Sequence, residues 1–216
     1  MLKLLFPPSY LPFTYPWIIK KLIKKGSSLL DVGCGDGEFM THISKGDSSI
    51  KLYGVDLFTP YVTKAKKTNS YRKIYRKDVR RIKFPNKSFD IVMASQVIEH
   101  LKKKESLSLI KKMENIAIWK VIVGTPNGYF PRGIYERNDL QKHKSYWYVK
   151  DFNKLGYKTF GQGLKFIYGK KGLVNSYIGR LLPIRLILFV ISYILSPVTY
   201  YFPEYSAHLI AVKEVS

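Results

Sequence analysis

One cysteine, Cys34, stands among 216 residues. A lone thiol excludes an intrachain disulfide and a cysteine zinc site, which fits a reducing compartment. Acidic side chains are scarce too. There are 15 of them against 37 lysines and arginines, for a formal net charge of +22. Ion-pair networks need acids in comparable number, so pairing cannot absorb this excess. No His/Cys/Asp cluster shows metal-ligand spacing along the chain, and no metal is expected. The opening stretch MLKLLFPPSYLPFTYPW is apolar but broken by Pro7, Pro8, Pro12 and Pro16. It offers no signal-peptide core of the usual length, and reads as an extended aromatic arm packed over the domain or the mouth of its site.

What is present describes one folded domain. Hydrophobic residues make up 46% of the chain and aromatics 15%, which excludes disorder, and the length suffices for a sizeable core. Eleven basic residues and one acid, Asp78, stand between Lys64 and Lys87. Such a surface attracts phosphate, in nucleic acid or in anionic lipid headgroups, unless it is merely a solvated lysine-rich face.

The segment LLDVGCGDGEF, Leu29 to Phe39, carries the most information. Apolar residues run into Asp31, and glycines then fall at 33, 35 and 37 before an acid and an aromatic. This reads as a buried strand stopping at a tight turn that opens a helix, the place where doubly wound sheets bind nucleotide-like ligands. A second strand, Lys51 to Asp56, ends in a carboxylate 21 residues after Gly35. That is the spacing expected of a ribose-binding acid. Glu38 stands where a dinucleotide fold wants its third glycine, which favours a nucleoside ligand without phosphates.

Around these anchors the pattern alternates. Helices are expected at Trp17–Lys25, Gly37–Ser44, Thr59–Lys67, Lys103–Ala117 and Val149–Leu155. Further strands are expected at Lys73–Lys77, Asp90–Ala94, Lys120–Gly124, Tyr157–Gln162 and Ser206–Lys213. Strands separated by helices imply a parallel sheet with right-handed crossovers.

With DVGCG, four more segments resemble the class I S-adenosylmethionine-dependent methyltransferases, in order. They are KDVRRIKFPNKSFDIVMASQVIEHL (77–101), VIVGTPNGYF (121–130), HKSYWYVKDFNKLGY (143–157) and SAHLIAVK (206–213). The resemblance implies an α/β, Rossmann-like, doubly wound, seven-stranded and mostly parallel sheet. With the residue pattern outside the resemblance, the chain divides into an arm and helix (1–26), a donor-binding core (27–162), an apolar helical insertion (163–203) and a closing strand (204–216).

The resemblance also assigns roles. S-adenosylmethionine is the expected cofactor. Asp31, Gly33 and Gly35 are expected to shape the pocket for its amino acid end, and Asp56 to take the ribose hydroxyls. Asp78, with the Val79 amide beside it, is expected to accept from the adenine amino group. Ser95 and Gln96 are expected to line the methionine moiety. His100 is the candidate general base if the acceptor is a hydroxyl. Asn127, Tyr129, Phe130 and Tyr135 are expected to face the acceptor.

Before the closing strand, residues 186–202 carry no charge, with Arg180 and Arg185 at one end and Tyr200, Tyr201 and Phe202 at the other. Seventeen helical residues reach about 25 Å, short of a bilayer core of about 30 Å. A surface-lying or re-entrant membrane element, a cap over the acceptor pocket and a true span are the three readings. Joined to the basic surface, the first makes the expected partner a small-molecule or lipid-like acceptor at an anionic, cytoplasmic membrane face. RNA is the rival acceptor, although the chain has no recognisable RNA-binding module. The remaining reading is a non-catalytic binding protein on the same fold.

Overall fold

The computed structural model describes residues 9–131, 133 and 138–215. Seven strands form one sheet: β1 (Ser28–Val32), β2 (Lys51–Asp56), β3 (Tyr71–Arg76), β4 (Phe89–Ser95), β5 (Ala117–Pro126), β6 (Lys158–Leu164) and β7 (Ser206–Glu214). Their spatial order is β3-β2-β1-β4-β5-β7-β6. The pairs from β3 to β5 are parallel, while β7 runs antiparallel to both β5 and β6. This is the Rossmann-like sheet expected from the sequence.

Helices cover both faces, which is why the central strands read as continuous apolar runs instead of alternating ones. One face packs α1 (Tyr15–Leu22) and α2 (Glu38–Ser44) through Ile18, Ile19, Met40 and Ile43. The other packs α4 (Lys103–Ile116) and α5 (Val149–Lys154) through Leu109, Ile110, Met113 and Phe152. The remaining early helix, α3 (Thr59–Lys67), lies against β3.

Boundaries shift where local chemistry outweighs periodicity. The first helix starts earlier than expected, because the Thr14 hydroxyl accepts from the Trp17 amide as an N-cap and Pro16 fits the first turn. It ends at Leu22, since Ile23 is already extended. Strand β5 begins directly where α4 stops, with no intervening loop.

Between β6 and β7 the chain forms α6 (Lys165–Tyr168), α7 (Leu182–Ile194) and α8 (Ser196–Tyr201). This segment leaves the carboxyl end of β6 and returns at Ser206, which pairs with Leu164. It therefore sits on the sheet edge where β1, β2 and β4 also end. Among the described residues no helix is long and apolar enough to cross a membrane.

Candidate active site

Strand β1 delivers the chain to the glycine turn at the carboxyl edge. Gly33 has φ of +79°, and a Cβ there would collide with Cγ2 of Val97, so both conformation and space demand glycine. Gly35 differs: above it lies open space, as a site needs where a ligand approaches the backbone. The amides of Gly33 and Cys34 donate to the Val55 carbonyl at 2.7 and 3.0 Å, and that of Gly35 donates to Asp56 Oδ2 at 2.9 Å. Gly37 and Glu38 bond Cys34 O and Asp36 Oδ1. These amides, which a pyrophosphate cradle would aim at its ligand, are occupied by the protein itself. The turn suits a nucleoside without phosphates.

Asp56 is fixed from two sides, by Gly35 and by the Phe58 amide at 2.9 Å on Oδ1. Burial raises its carboxyl pKa, against the backbone donors that lower it. Two accepted bonds leave lone pairs on each oxygen, and Asp56 lines a cleft together with Gly33, Gly35, Asp78, Val79 and Gln96. Leu57, Val97 and Leu101 give it apolar walls. Gln96, at the end of β4, has φ of +57°, a sparsely populated conformation for a non-glycine residue and one that recurs at functional sites.

Residues 30–117 match the model of a methyltransferase domain family. Over that stretch the chain is similar to methyltransferase domains. Its donor is S-adenosylmethionine, and the open cradle above Gly35, the Asp56 carboxylate and the amides turned away from phosphate fit that group. No curated protein matches the chain by sequence. Solved structures that it resembles include a SAM-dependent methyltransferase from Archaeoglobus fulgidus, 17% identical over 93% of this chain and 95% of that one, with a TM-score of 0.57. Another is the small RNA methyltransferase HEN1, 19% identical over 93% of this chain with a TM-score of 0.61. A third is the magnesium protoporphyrin IX methyltransferase ChlM from Synechocystis PCC 6803 with bound SAM, 14% identical over 93% of this chain and 75% of that one, TM-score 0.53. The chain spans only 25% of HEN1 and 54% of a further match. At these identities the likeness shows the fold.

Of the residues expected to hold the donor, Gly33, Gly35, Asp56, Asp78, Val79 and Gln96 converge on the cleft, and His100 stands on its wall. Asp31 and Ser95 do not line it. Asp31 is 4% exposed and accepts the Tyr71 hydroxyl at 2.8 Å, so it braces the underside of the turn. Burial pushes its carboxyl up to about 7. Ser95 Oγ shares a 2.8 Å hydrogen bond with the Tyr15 hydroxyl. Asp78 lines the cleft, but Arg80 grips both its oxygens at 2.6–3.0 Å and holds the carboxyl below its usual range. An adenine amino group would share that carboxylate with a guanidinium.

None of the described residues expected to face the acceptor lines that cleft. Asn127 is 7% exposed, and its Nδ2 donates to the carbonyls of Pro203, Glu204 and Ser206 at 2.9–3.1 Å. It ties the end of the insertion to β5 and does not face a ligand. Tyr129 is exposed, packs edge-on against Tyr146 and carries Lys170 Nζ 4.2 Å above its ring. The Phe130 carbonyl bonds His143 Nδ1. Tyr135 lies outside the described residues.

Two parts of the structure around the cleft could not be read from spacing along the chain. Tyr15 reaches the end of β4 from the first helix, its hydroxyl pushed up to about 12 by burial. Residues 1–8 of the expected arm lie outside the described residues. The other part is the loop with Asn138, Leu140, Gln141 and Lys144, which closes one side of the cleft. That loop brings His143 back to Glu99 and His100, a grouping of metal-binding residue types that spacing along the chain concealed.

Proposed function

We propose that this domain methylates a small, lipid-like acceptor at an anionic membrane surface, with α7 lying in that surface. The carrying observation is the outward face of α7. Only Leu188 and Ser192 are buried, while Leu182, Leu186, Ile187, Phe189, Val190 and Ile194 are exposed, from 49% to 69%. A helix on a water-soluble protein hides its apolar stripe; this one buries Leu188 and Ser192 and displays most of its apolar side chains. Exposed apolar surface on that scale marks an interaction site. Lys165, Lys170, Lys171 and Arg185 are exposed beside it, supplying cations for headgroups. The thirteen residues of α7 reach about 20 Å, and β7 must rejoin the sheet that the insertion left, so a surface-lying helix suits the topology.

The chain's part in catalysis is to place and to shield. Bound S-adenosylmethionine supplies a methyl group already activated on a sulfonium. Asp56 holds the ribose hydroxyls, Leu57, Val79, Val97 and Leu101 flank the apolar portions, and the turn fixes the approach to the backbone. Holding reactants in line and keeping water away supplies much of the acceleration in such displacements. The insertion lies on the same sheet edge, where Lys170 reaches Tyr129 at the end of β5. An acceptor drawn from a membrane would therefore enter from that side.

RNA stays the second reading, supported by the exposed cations between Lys64 and Lys87. The test is incubation of the full chain with methyl-labelled donor and separated lipid, RNA and metabolite fractions. Label in the lipid fraction, with binding to vesicles of acidic lipid, supports the proposal. Label in RNA without vesicle binding overturns it.

A further inference from the structure

Glu99, His100 and His143 each place one candidate ligand atom within 4.8 Å of the other two. We infer that they form a site for one borderline first-row divalent cation, of the Mn²⁺, Co²⁺ or Zn²⁺ kind, at the acceptor end of the cleft. Two imidazoles and a carboxylate are a donor set that such ions accept. The neighbours are arranged accordingly. His143 Nδ1 bonds the Phe130 carbonyl, which places the ring proton there and leaves Nε2 as the ligating nitrogen, the usual device for orienting a metal-bound imidazole. The Thr125 hydroxyl donates to Glu99 Oε2 at 3.1 Å. The amides of Lys144 and Ser145 donate to the Glu99 carbonyl at 2.7 and 3.1 Å, which clamps the His143 loop onto the residue it must meet. The rings of His100 and His143 stand 4.9 Å apart, edge to face. Glu99 is 2% exposed, so the carboxylate side of the site is shielded from water while the imidazole side opens to the cleft.

Three protein ligands leave coordination positions open, the pattern of catalytic rather than structural sites. His100 lines the cleft, so those positions face the place where an acceptor must approach. A cation there holds an acceptor oxygen and lowers the pKa of its hydroxyl, whose proton passes to bulk water. The acceptor class becomes an oxygen nucleophile, and His100 serves as a ligand in place of the lone general base expected from the sequence.

The experiment uses the full chain, stripped with chelator and titrated with Co²⁺, followed by equilibrium dialysis and visible absorption. One equivalent should bind with bands of nitrogen and oxygen ligation. Glu99→Gln and His143→Gln should each weaken binding by more than the ~10–100-fold typical of outer-shell changes, whereas His42→Ala on α2 should not. Glu99→Gln keeps an oxygen acceptor for Thr125, and donor affinity measured by calorimetry reports whether each variant has folded. If Glu99→Gln fails to fold, His143→Gln decides on the same reading. Absence of saturable binding, or equal binding by wild type and both variants, overturns the site. The readout is independent of methyl transfer, so its failure would leave the proposed function standing.

Discussion

At the β3 end of the sheet, α3 and β3 expose Lys64, Lys66, Lys67, Arg72, Lys73 and Arg76. At the β6 end, α7 turns Leu182, Leu186, Ile187 and Phe189 outward. Six strand spacings separate the two edges, about 29 Å at ~4.8 Å each. Read along the chain, the basic tract and the apolar segment looked like two halves of one membrane surface. The fold parts them. The β3 end is built with the donor half, whose glycine turn, Asp56 and Asp78 fall within the matched residues 30–117. The β6 end lies beyond that match. Its own lysines and Arg185, rather than the distant tract, must meet any anionic headgroup.

The largest effect should come from the donor half. Asp56→Ala removes two charge-assisted hydrogen bonds to ribose, each worth at least about 1.5 kcal/mol, so donor affinity should fall about 100-fold. Calorimetry checks this, and vesicle binding measured beside it should not change. Equal donor affinity in the two proteins would remove Asp56 from the site.

Ile187→Asp strikes the other end. It places a charge where burial of an isoleucine contributes about 1.5–3 kcal/mol, so partition onto acidic vesicles should fall about tenfold. The melting temperature should hardly move, since the side chain is 55% exposed. A collapse in stability without loss of vesicle binding would make α7 a packing element.

Asp31 offers a pH test within the donor half. Its folded carboxyl is pushed up to about 7 by burial, against an unfolded value near ~3.9. Between those values the native state keeps a proton that the unfolded chain has lost, so stability falls as pH rises from about 4 to about 7. Asp31→Asn should remove that slope, melting above wild type at pH 8 and close to it at pH 4. Parallel melting curves across the range would assign the slope to another group.

The smallest effect sharpens the separation itself. Lys73→Glu, on the β3 edge, should weaken binding to RNA oligonucleotides a few-fold and reduce the salt slope by about one. Vesicle binding should be untouched. A matching loss on vesicles would show that both ends meet one surface.

Residues near one another in sequence declared themselves. Apolar runs into glycines located β1 and its turn, the 21-residue interval located Asp56, and alternation of strand and helix implied the sheet order's parallel core, because these depend on local φ freedom, side-chain size and period. What depended on distant meetings did not show. Asn127 looked like an acceptor contact until the insertion's carbonyls came to it. Asp31 looked like a ligand contact until Tyr71 covered it. Tyr15 met Ser95 across 80 residues, and His143 joined Glu99 and His100 only through the loop that closes the cleft. The sequence by itself determined the glycine turn, the carboxylate that ends β2, the excess of positive charge and the uncharged stretch before β7. Only the tertiary structure decided which edge each of them occupies and which polar groups face the cleft, because the crossovers of a doubly wound sheet, not chain order, set the strands' places.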